Sequence, residues 1–433
     1  MKIILVNKYF YPKGGDCLYT LRLMSLLHNN GHTVIPFGMS HPQNIQTDYN
    51  KYFVSYIDFN DELRKRKIVN SFKVASRAIV NLEAARAINR LIDDTKPDLI
   101  HLQNIHHQLT PSIIIAAAQK RIPVVWTLHD FILACPNDNF FHDGNICKRC
   151  ASGNNIHAVI NKCKKGSLGA SILAALECTI YHRMRLGNYV AKFICPSRFM
   201  ADILTENGTP SSKITVIPNF LQVSEIPSVG ENYFLYAGRM KAEKGVEVLL
   251  NAFSKIDNAK LLLAGDGPNL KSFQQMARDL RLQNTKFLGN QSPSEIQKLL
   301  AGCRASIVPS IIYDNLPYAV METMMAGKAT IASRIGGIPE MIEHEKNGLL
   351  FEPGNSSRLA QMMNRVLFDD ELTRKLGNSA REKAISSYSP DRHYHRLIQV
   401  YNEALGKRGS SHLELPDINY QNPSELYVES MKG

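Results

Sequence analysis

The stretch Pro309–Glu340, PSIIYDNLPYAVMETMMAGKATIASRIGGIPE, carries two acids, Asp314 and Glu322, eight positions apart. Pro317 lies between them and marks a helix start, because its missing N–H costs nothing in a first turn. Gly327 reads as the stop. The N-terminus of such a helix offers free backbone N–H groups and a partial positive charge, an arrangement that holds phosphate. Glu322 then falls about a turn inside, placed to accept hydrogen bonds from a sugar hydroxyl, while Asp314 stays in the preceding loop. An apolar strand at Thr330–Ala332 follows, and a turn at Gly336–Gly337 opens another short helix.

Outward from this segment, both halves of the chain alternate apolar runs with helical patterns, which predicts right-handed βαβ units and parallel sheets. In the second half the strand YFLYAG precedes Arg239 and Lys244-Gly245. The strand Lys260–Ala264 runs into the turn Gly265-Asp266-Gly267-Pro268, and KFLG ends at Gly289. In the first half KIILVN precedes the loop with Gly14 and Gly15, where glycine lets the backbone approach an anion. Further strands are expected at Thr33–Pro36, Asp98–Leu102 and Pro123–Leu128. Ligands on such sheets gather at the carboxyl ends of the strands. His129 and Asp130 stand at one of those ends, and the polar run HLQNIHH (101–107) at another, on the expected acceptor side. Taken singly, the glycine loop is an ordinary βα turn, His129 a satisfied strand-end histidine, and Arg239 and Lys244 solvated charges.

Taken in order, these motifs resemble the family 4 retaining glycosyltransferases over roughly Lys2–Leu405. The resemblance implies the GT-B fold: two Rossmann-like doubly wound α/β domains facing across a cleft. Residues 1–222 would form the acceptor-side domain with a cysteine-rich insertion at 135–163, and 223–390 the nucleotide-sugar domain. Residues 391–406 would be a helix crossing back, and 407–433 a mobile tail. The acid-x7-acid motif is Asp314 and Glu322, with aspartate where the family most often has glutamate; Asn315-Leu316-Pro317 stands in place of the usual Gly-Phe-Gly. By resemblance, Arg239 and Lys244 neutralise the diphosphate, Asp314 holds the sugar hydroxyls and Glu322 the ribose. His129 steadies the transferred sugar. Gly14, Gly15, Gly265, Asp266, Gly267, Gly289, Asn315, Leu316 and Pro317 line the donor. No catalytic metal and no covalent nucleophile are implied.

The formal charge of +12 is uneven. Residues 1–222 hold 26 Lys+Arg against 15 Asp+Glu, whereas the rest hold 25 against 24. A basic first half attracts anionic lipid or phosphorylated substrate. No aromatic-basic interleaving or reading motif points to nucleic acid. Residues 63–80 contain six Lys/Arg and no acid among apolar positions, and residues 144–176 contain five, again without an acid. Both read as faces for an anionic membrane, or as helices with solvated basic sides. MKIILVN runs directly into a glycine-containing loop, which reads as a first strand rather than a signal peptide. The expected location is cytoplasmic and peripheral on the inner membrane face. Cys135, Cys147, Cys150 and Cys163 crowd into 29 residues. Cys147-x-x-Cys150 has zinc-knuckle spacing, so structural zinc and free thiols both stand.

The expected activity is transfer of a hexose or N-acetylhexosamine from a nucleotide-diphosphate sugar to a hydroxyl on a lipid-linked or saccharide acceptor, in bacterial cell-surface polysaccharide or glycolipid synthesis. A nucleotide-sugar 2-epimerase of the same fold, and a non-catalytic binding protein that kept it, are the alternatives.

Overall fold

A computed structural model describes residues 1–56, 81–151, 153–183, 186–222 and 232–406. The first half contributes strands β1 (Lys2–Val6), β2 (Thr33–Phe37), β3 (Leu99–Leu102), β4 (Val124–Thr127), β5 (Phe141–His142), β6 (Asn145–Ile146), β7 (Lys192–Cys195) and β8 (Ile214–Val216). The second contributes β9 (Tyr233–Ala237), β10 (Lys260–Ala264), β11 (Thr285–Gly289), β12 (Ala305–Val308), β13 (Ala329–Ser333) and β14 (Leu349–Phe351). Two six-stranded parallel sheets result, ordered β2-β1-β3-β4-β7-β8 and β11-β10-β9-β12-β13-β14. These are the two doubly wound α/β layers that the alternation of runs predicts. Strands covered on both faces are buried along their length, and β1, β3 and β4 show this at Ile3–Val6, Leu99–Leu102 and Val124–Thr127, apolar except for His101 and Thr127, which lie 2.8 Å apart.

The chain builds outward from β9 to β10 and β11, then returns to add β12–β14 on the other side. The loops leaving β9 and β12 therefore flank the point where strand order reverses, the usual ligand crevice of an open parallel sheet. Loops after β1 and β3 have the same relation in the first sheet. The basic stretch at 63–80 falls in residues 57–80 and lies outside the described residues, as do residues 223–231 and the tail from 407.

Helices cover both faces of each sheet. Tyr19, Leu23, Leu26 and Leu27 of helix Gly15–Asn29 pack on Ile3, Leu5 and Val125. Leu397, Val400 and Tyr401 of helix Pro390–Ala404 join the same core, so an element late in the chain closes the first sheet. Its start is encoded locally: Ser389 accepts the Arg392 N–H at 3.4 Å and Pro390 occupies the first turn. On the second sheet Val320, Met321 and Met324 of helix Tyr318–Met325 pack under Val308 and Ala332. Pro317 caps that helix, and Gly327 leaves it in the left-handed conformation at φ 66°.

Candidate active site

The loop after β9 and the loop after β12 are fastened together. A Cβ on Gly245, which has φ 71°, would stand 1.9 Å from the Pro309 carbonyl oxygen, so only glycine permits this approach. The Ile311 N–H donates to the Glu243 carbonyl at 3.1 Å. This contact brings Lys244 to Asp314, with Nζ 2.5 Å from Oδ1 and side chains only 22% and 14% exposed. Ser310 Oγ donates to Oδ2 at 2.5 Å, so both carboxylate oxygens have partners. Arg239 leaves the same β9 edge and is exposed. Met240 N–H donates to the Asp266 carbonyl at 2.9 Å, and Gly265 N–H to the Gly289 carbonyl at 2.7 Å. The loops with Arg239, Lys244, Gly265–Gly267, Gly289 and Asp314 thus form one edge. Gly337 presses on the acid from behind: its N–H donates to the Asp314 carbonyl at 2.8 Å, and a Cβ there would lie 1.8 Å from the Asn315 carbonyl oxygen.

Three consecutive residues of the acid's loop reach three different partners. Tyr313 inserts edge-on among Phe131, Phe140 and Phe199 of the first half, with ring centroids 6.4, 6.1 and 4.8 Å away. Asp314 pairs with Lys244. Asn315 takes the Ser197 Oγ–H on its Oδ1 at 2.5 Å and directs Nδ2 to the Leu128 carbonyl at 3.4 Å. Leu128 immediately precedes His129, so one loop ties the acid of one half to the histidine of the other. Glu340 adds a second tie. Its carboxylate accepts the Arg198 and Phe199 N–H groups at 2.8 and 2.7 Å, capping helix Arg198–Glu206 from the opposite domain.

Leu316 is buried in the core cluster with Val320 and Met321. Glu322 lies within helix Tyr318–Met325; burial pushes its carboxyl above the usual range, and Arg22 opposes this. Arg22 belongs to helix Gly15–Asn29, and its guanidinium lies 5.1 Å from the Tyr318 ring centroid. Gly14 caps that helix, and Gly15 faces the Tyr318 ring, which a Cβ would meet at 3.4 Å. The glycine loop therefore abuts the start of the helix that follows Asp314.

His129 is held from behind by buried groups. Its Nε2 lies 2.8 Å from Gln103 Oε1, and the Gln103 Nε2 lies 3.0 Å from His101 Nε2. His101 Nδ1 lies 2.7 Å from the Tyr401 hydroxyl, on helix Pro390–Ala404. Burial lowers His101 to about 3 and also lowers His129, so both rings are neutral near pH 7. An amide has one oxygen and one NH2, so the contact with Oε1 places the His129 proton on Nε2 and leaves Nδ1 as acceptor. Tyr19 stacks edge-on against His129 with centroids 5.0 Å apart, and its hydroxyl lies 3.0 Å from His393 of the same late helix. Beside this, His106 Nε2 is 3.4 Å from Asp130 Oδ1. Burial raises Asp130 and lowers Lys8, whose attraction works against both shifts.

Sequence reading missed Tyr313, Gln103, Arg22 and Lys8. The polar run at 101–107 was the one signal pointing to Gln103. The four cysteines of the insertion lie close to this region. Cys135, Cys147, Cys150 and Cys163 are all free thiols, and among the described residues no three His, Cys, Asp or Glu side chains are placed to hold a metal ion. The thiols lie near one another, since Cys150 feels the charge of Cys135, Cys147 and Cys163, and Cys163 that of Cys147. Burial raises Cys135, Cys150 and Cys163, which is the behaviour of packed thiols.

Two family models divide the chain between them: Glycosyltransferase Family 4 matches residues 14–225, and Glycosyl transferases group 1 matches 220–383. The chain is 30% identical over 182 residues to the N-acetyl-alpha-D-glucosaminyl L-malate synthase of Bacillus anthracis, covering 41% of this chain and 47% of that one. It is 28% identical over 245 residues to the lipopolysaccharide 1,2-N-acetylglucosaminetransferase of Salmonella typhimurium, covering 50% and 62%. The chain spans about half the length of the curated relatives it matches. Its fold is similar to that of Anabaena HepE, solved in complex with UDP and glucose, with a TM-score of 0.62, 18% identity, and 92% and 98% of the two chains covered. Two parallel sheets with the paired loops of Lys244 and Asp314 between them, matched in both halves by these models, make the chain a member of the family 4 glycosyltransferases with the GT-B fold.

Proposed function

We propose that the protein is a retaining glycosyltransferase that moves a hexose or N-acetylhexosamine from a nucleotide-diphosphate sugar to an acceptor hydroxyl. The observation that carries this reading is the Lys244–Asp314 pair at the strand-order reversal, beside the exposed Arg239. A diphosphate entering there meets two cations and the N-terminus of helix Tyr318–Met325, preorganised charge of the kind that stabilises a leaving group. Drawn toward phosphate, Lys244 releases Asp314 to accept sugar hydroxyls. Glu322 takes the ribose, and neutral His129 offers Nδ1 to the transferred sugar. The bond from the anomeric carbon to the diphosphate breaks, a bond to the acceptor oxygen forms on the same face, and the acceptor proton leaves on the diphosphate. This scheme assigns leaving-group charge to Arg239 and Lys244 and requires no protein nucleophile.

The acceptor in this reading is a saccharide, free or lipid-linked, at the inner face of a bacterial cell membrane, in cell-surface polysaccharide or glycolipid synthesis. The relative named for lipopolysaccharide synthesis supports that direction. The test is a panel of nucleotide sugars with and without acceptors, followed by release of nucleoside diphosphate and NMR of the product anomer. An inverted anomer would end the retaining scheme, and an altered free sugar formed without acceptor would favour the epimerase. Tight donor binding with no turnover would favour a binding protein.

A further inference from the structure

The cysteine-bearing insertion carries a surface that the transfer reaction does not use. Helix Ile156–Ile160 and helix Leu168–Arg183 form an antiparallel pair, joined at one end by Asn155 Nδ2 to Thr179 Oγ1 at 3.1 Å and at the other by the Lys164 N–H to Ser171 Oγ at 3.0 Å. Their inner faces are buried through Ala158, Ala174, Ala175 and Cys178. Their outer faces are apolar too. Leu168, Ile172 and Leu176 recur every fourth residue on the longer helix, Ile156 and Ile160 do so on the shorter, and all five are 41–67% exposed. Ordinary surface helices turn a polar side to water, so a double row of exposed aliphatic side chains marks a binding surface.

The charge around this double row identifies what it fits. Residues 144–176 contain five Lys/Arg and no acid. Lys164 pairs with Asp138, and Lys148 lies 5.8 Å from the Tyr313 ring centroid, whereas Arg149, Lys162 and Lys165 are at the exposed surface. We infer that this helix pair is the docking surface for an anionic lipid bilayer, with the aliphatic rows entering the headgroup–acyl boundary and the basic residues meeting lipid phosphates. A second copy of the chain fits less well, since a two-fold contact would set one net-basic surface against another. Among the described residues no helix is long and apolar enough to cross a membrane, so the contact is peripheral. This surface deepens the membrane-proximal reading above and rests on it.

The experiment is co-sedimentation of the full chain with vesicles of mixed phosphatidylglycerol and phosphatidylcholine, and with phosphatidylcholine alone, at low and high salt. The wild type partitions to the anionic vesicles and is released by salt. The variant Ile160→Glu/Ile172→Glu/Leu176→Glu loses at least ten-fold in bound fraction, with an unchanged melting temperature and unchanged donor hydrolysis without vesicles. Phe368→Glu, at an exposed apolar residue in the second half, leaves binding intact. If the wild type binds and the triple variant binds equally, the insertion is not the surface although the membrane reading stands. No selective binding by the wild type overturns both. Self-association of the wild type that the triple variant abolishes assigns the rows to a second copy and overturns the proposal.

Discussion

Replacing Lys244 by methionine separates two roles that one ammonium carries. Without ligand, Lys244 holds Asp314 at 2.5 Å in a setting only 14–22% exposed. Two unit charges 4 Å apart at an effective dielectric of 20 attract by about 4 kcal/mol, much of which their desolvation offsets. Ser310 still donates to the carboxylate after the change, so the expected stability loss is about 1–2 kcal/mol, or roughly 2–8 °C for domains of this size. The catalytic loss is larger, because removing one preorganised contact to developing charge costs about 10²–10³ in kcat. Adding Asp314→Asn distinguishes the two effects: the double variant regains most of the lost stability, since no unpaired carboxylate remains, but regains no activity. Thermal melting and nucleoside diphosphate release, measured on both single variants and the double, check this. Near-native kinetics in Lys244→Met, or a double variant as active as wild type, would refute the leaving-group role.

Four further outcomes are expected. Asp314→Asn lowers transfer by at least ten times more than it lowers nucleotide affinity, read by calorimetry against turnover; equal losses reassign it. Gln103→Leu removes the His129 Nε2 partner, so imidazole ¹⁵N spectra show His129 exchanging between tautomers and kcat falls about 10–100-fold; a single unchanged tautomer argues against the assignment. Glu340→Ala leaves the Arg198 and Phe199 amides uncapped, and hydrogen exchange there accelerates at least ten-fold; unchanged rates mean the tie is absent in solution. Burial lowers His101 to about 3 and His393 to about 4, so the unfolded chain binds more protons than the folded one below about pH 6.5. Stability therefore falls from pH 6.5 toward pH 4 by about 1.4 kcal/mol per pH unit for each histidine, and His393→Gln removes one histidine's share of that slope.

Much of the second half was legible because its function sits in local backbone features. The Pro317 helix start, the Gly327 stop and the glycines at 245 and 336–337 can be read within a few residues, and Gly245, Gly336 and Gly337 prove to pack against the loop that carries Asp314. What sequence could not give were partners set by distant packing. Tyr313 looks like any loop tyrosine until Phe131, Phe140 and Phe199 surround it, and Gln103 meets His129 only through the order of β3 and β4. The ties of Asn315 to Ser197 and Leu128, across to the other half, were likewise set by distant packing.

The loop of Tyr313, Asp314 and Asn315 makes the acid's position a shared coordinate of both halves of the molecule. A hinge placed elsewhere would let the halves part while the catalytic groups of each stayed put. Here, Tyr313 in its aromatic socket is the immediate neighbour of the carboxylate, so a displacement of one would be passed to the other. A shift of about 1 Å at a reacting group can cost on the order of 10² in rate. Mutations in Phe131, Phe140 or Phe199, which touch no sugar in the proposed scheme, should then act on turnover through the set of that loop. In the proposed scheme the aromatic socket couples the fit between the two halves to the position of Asp314.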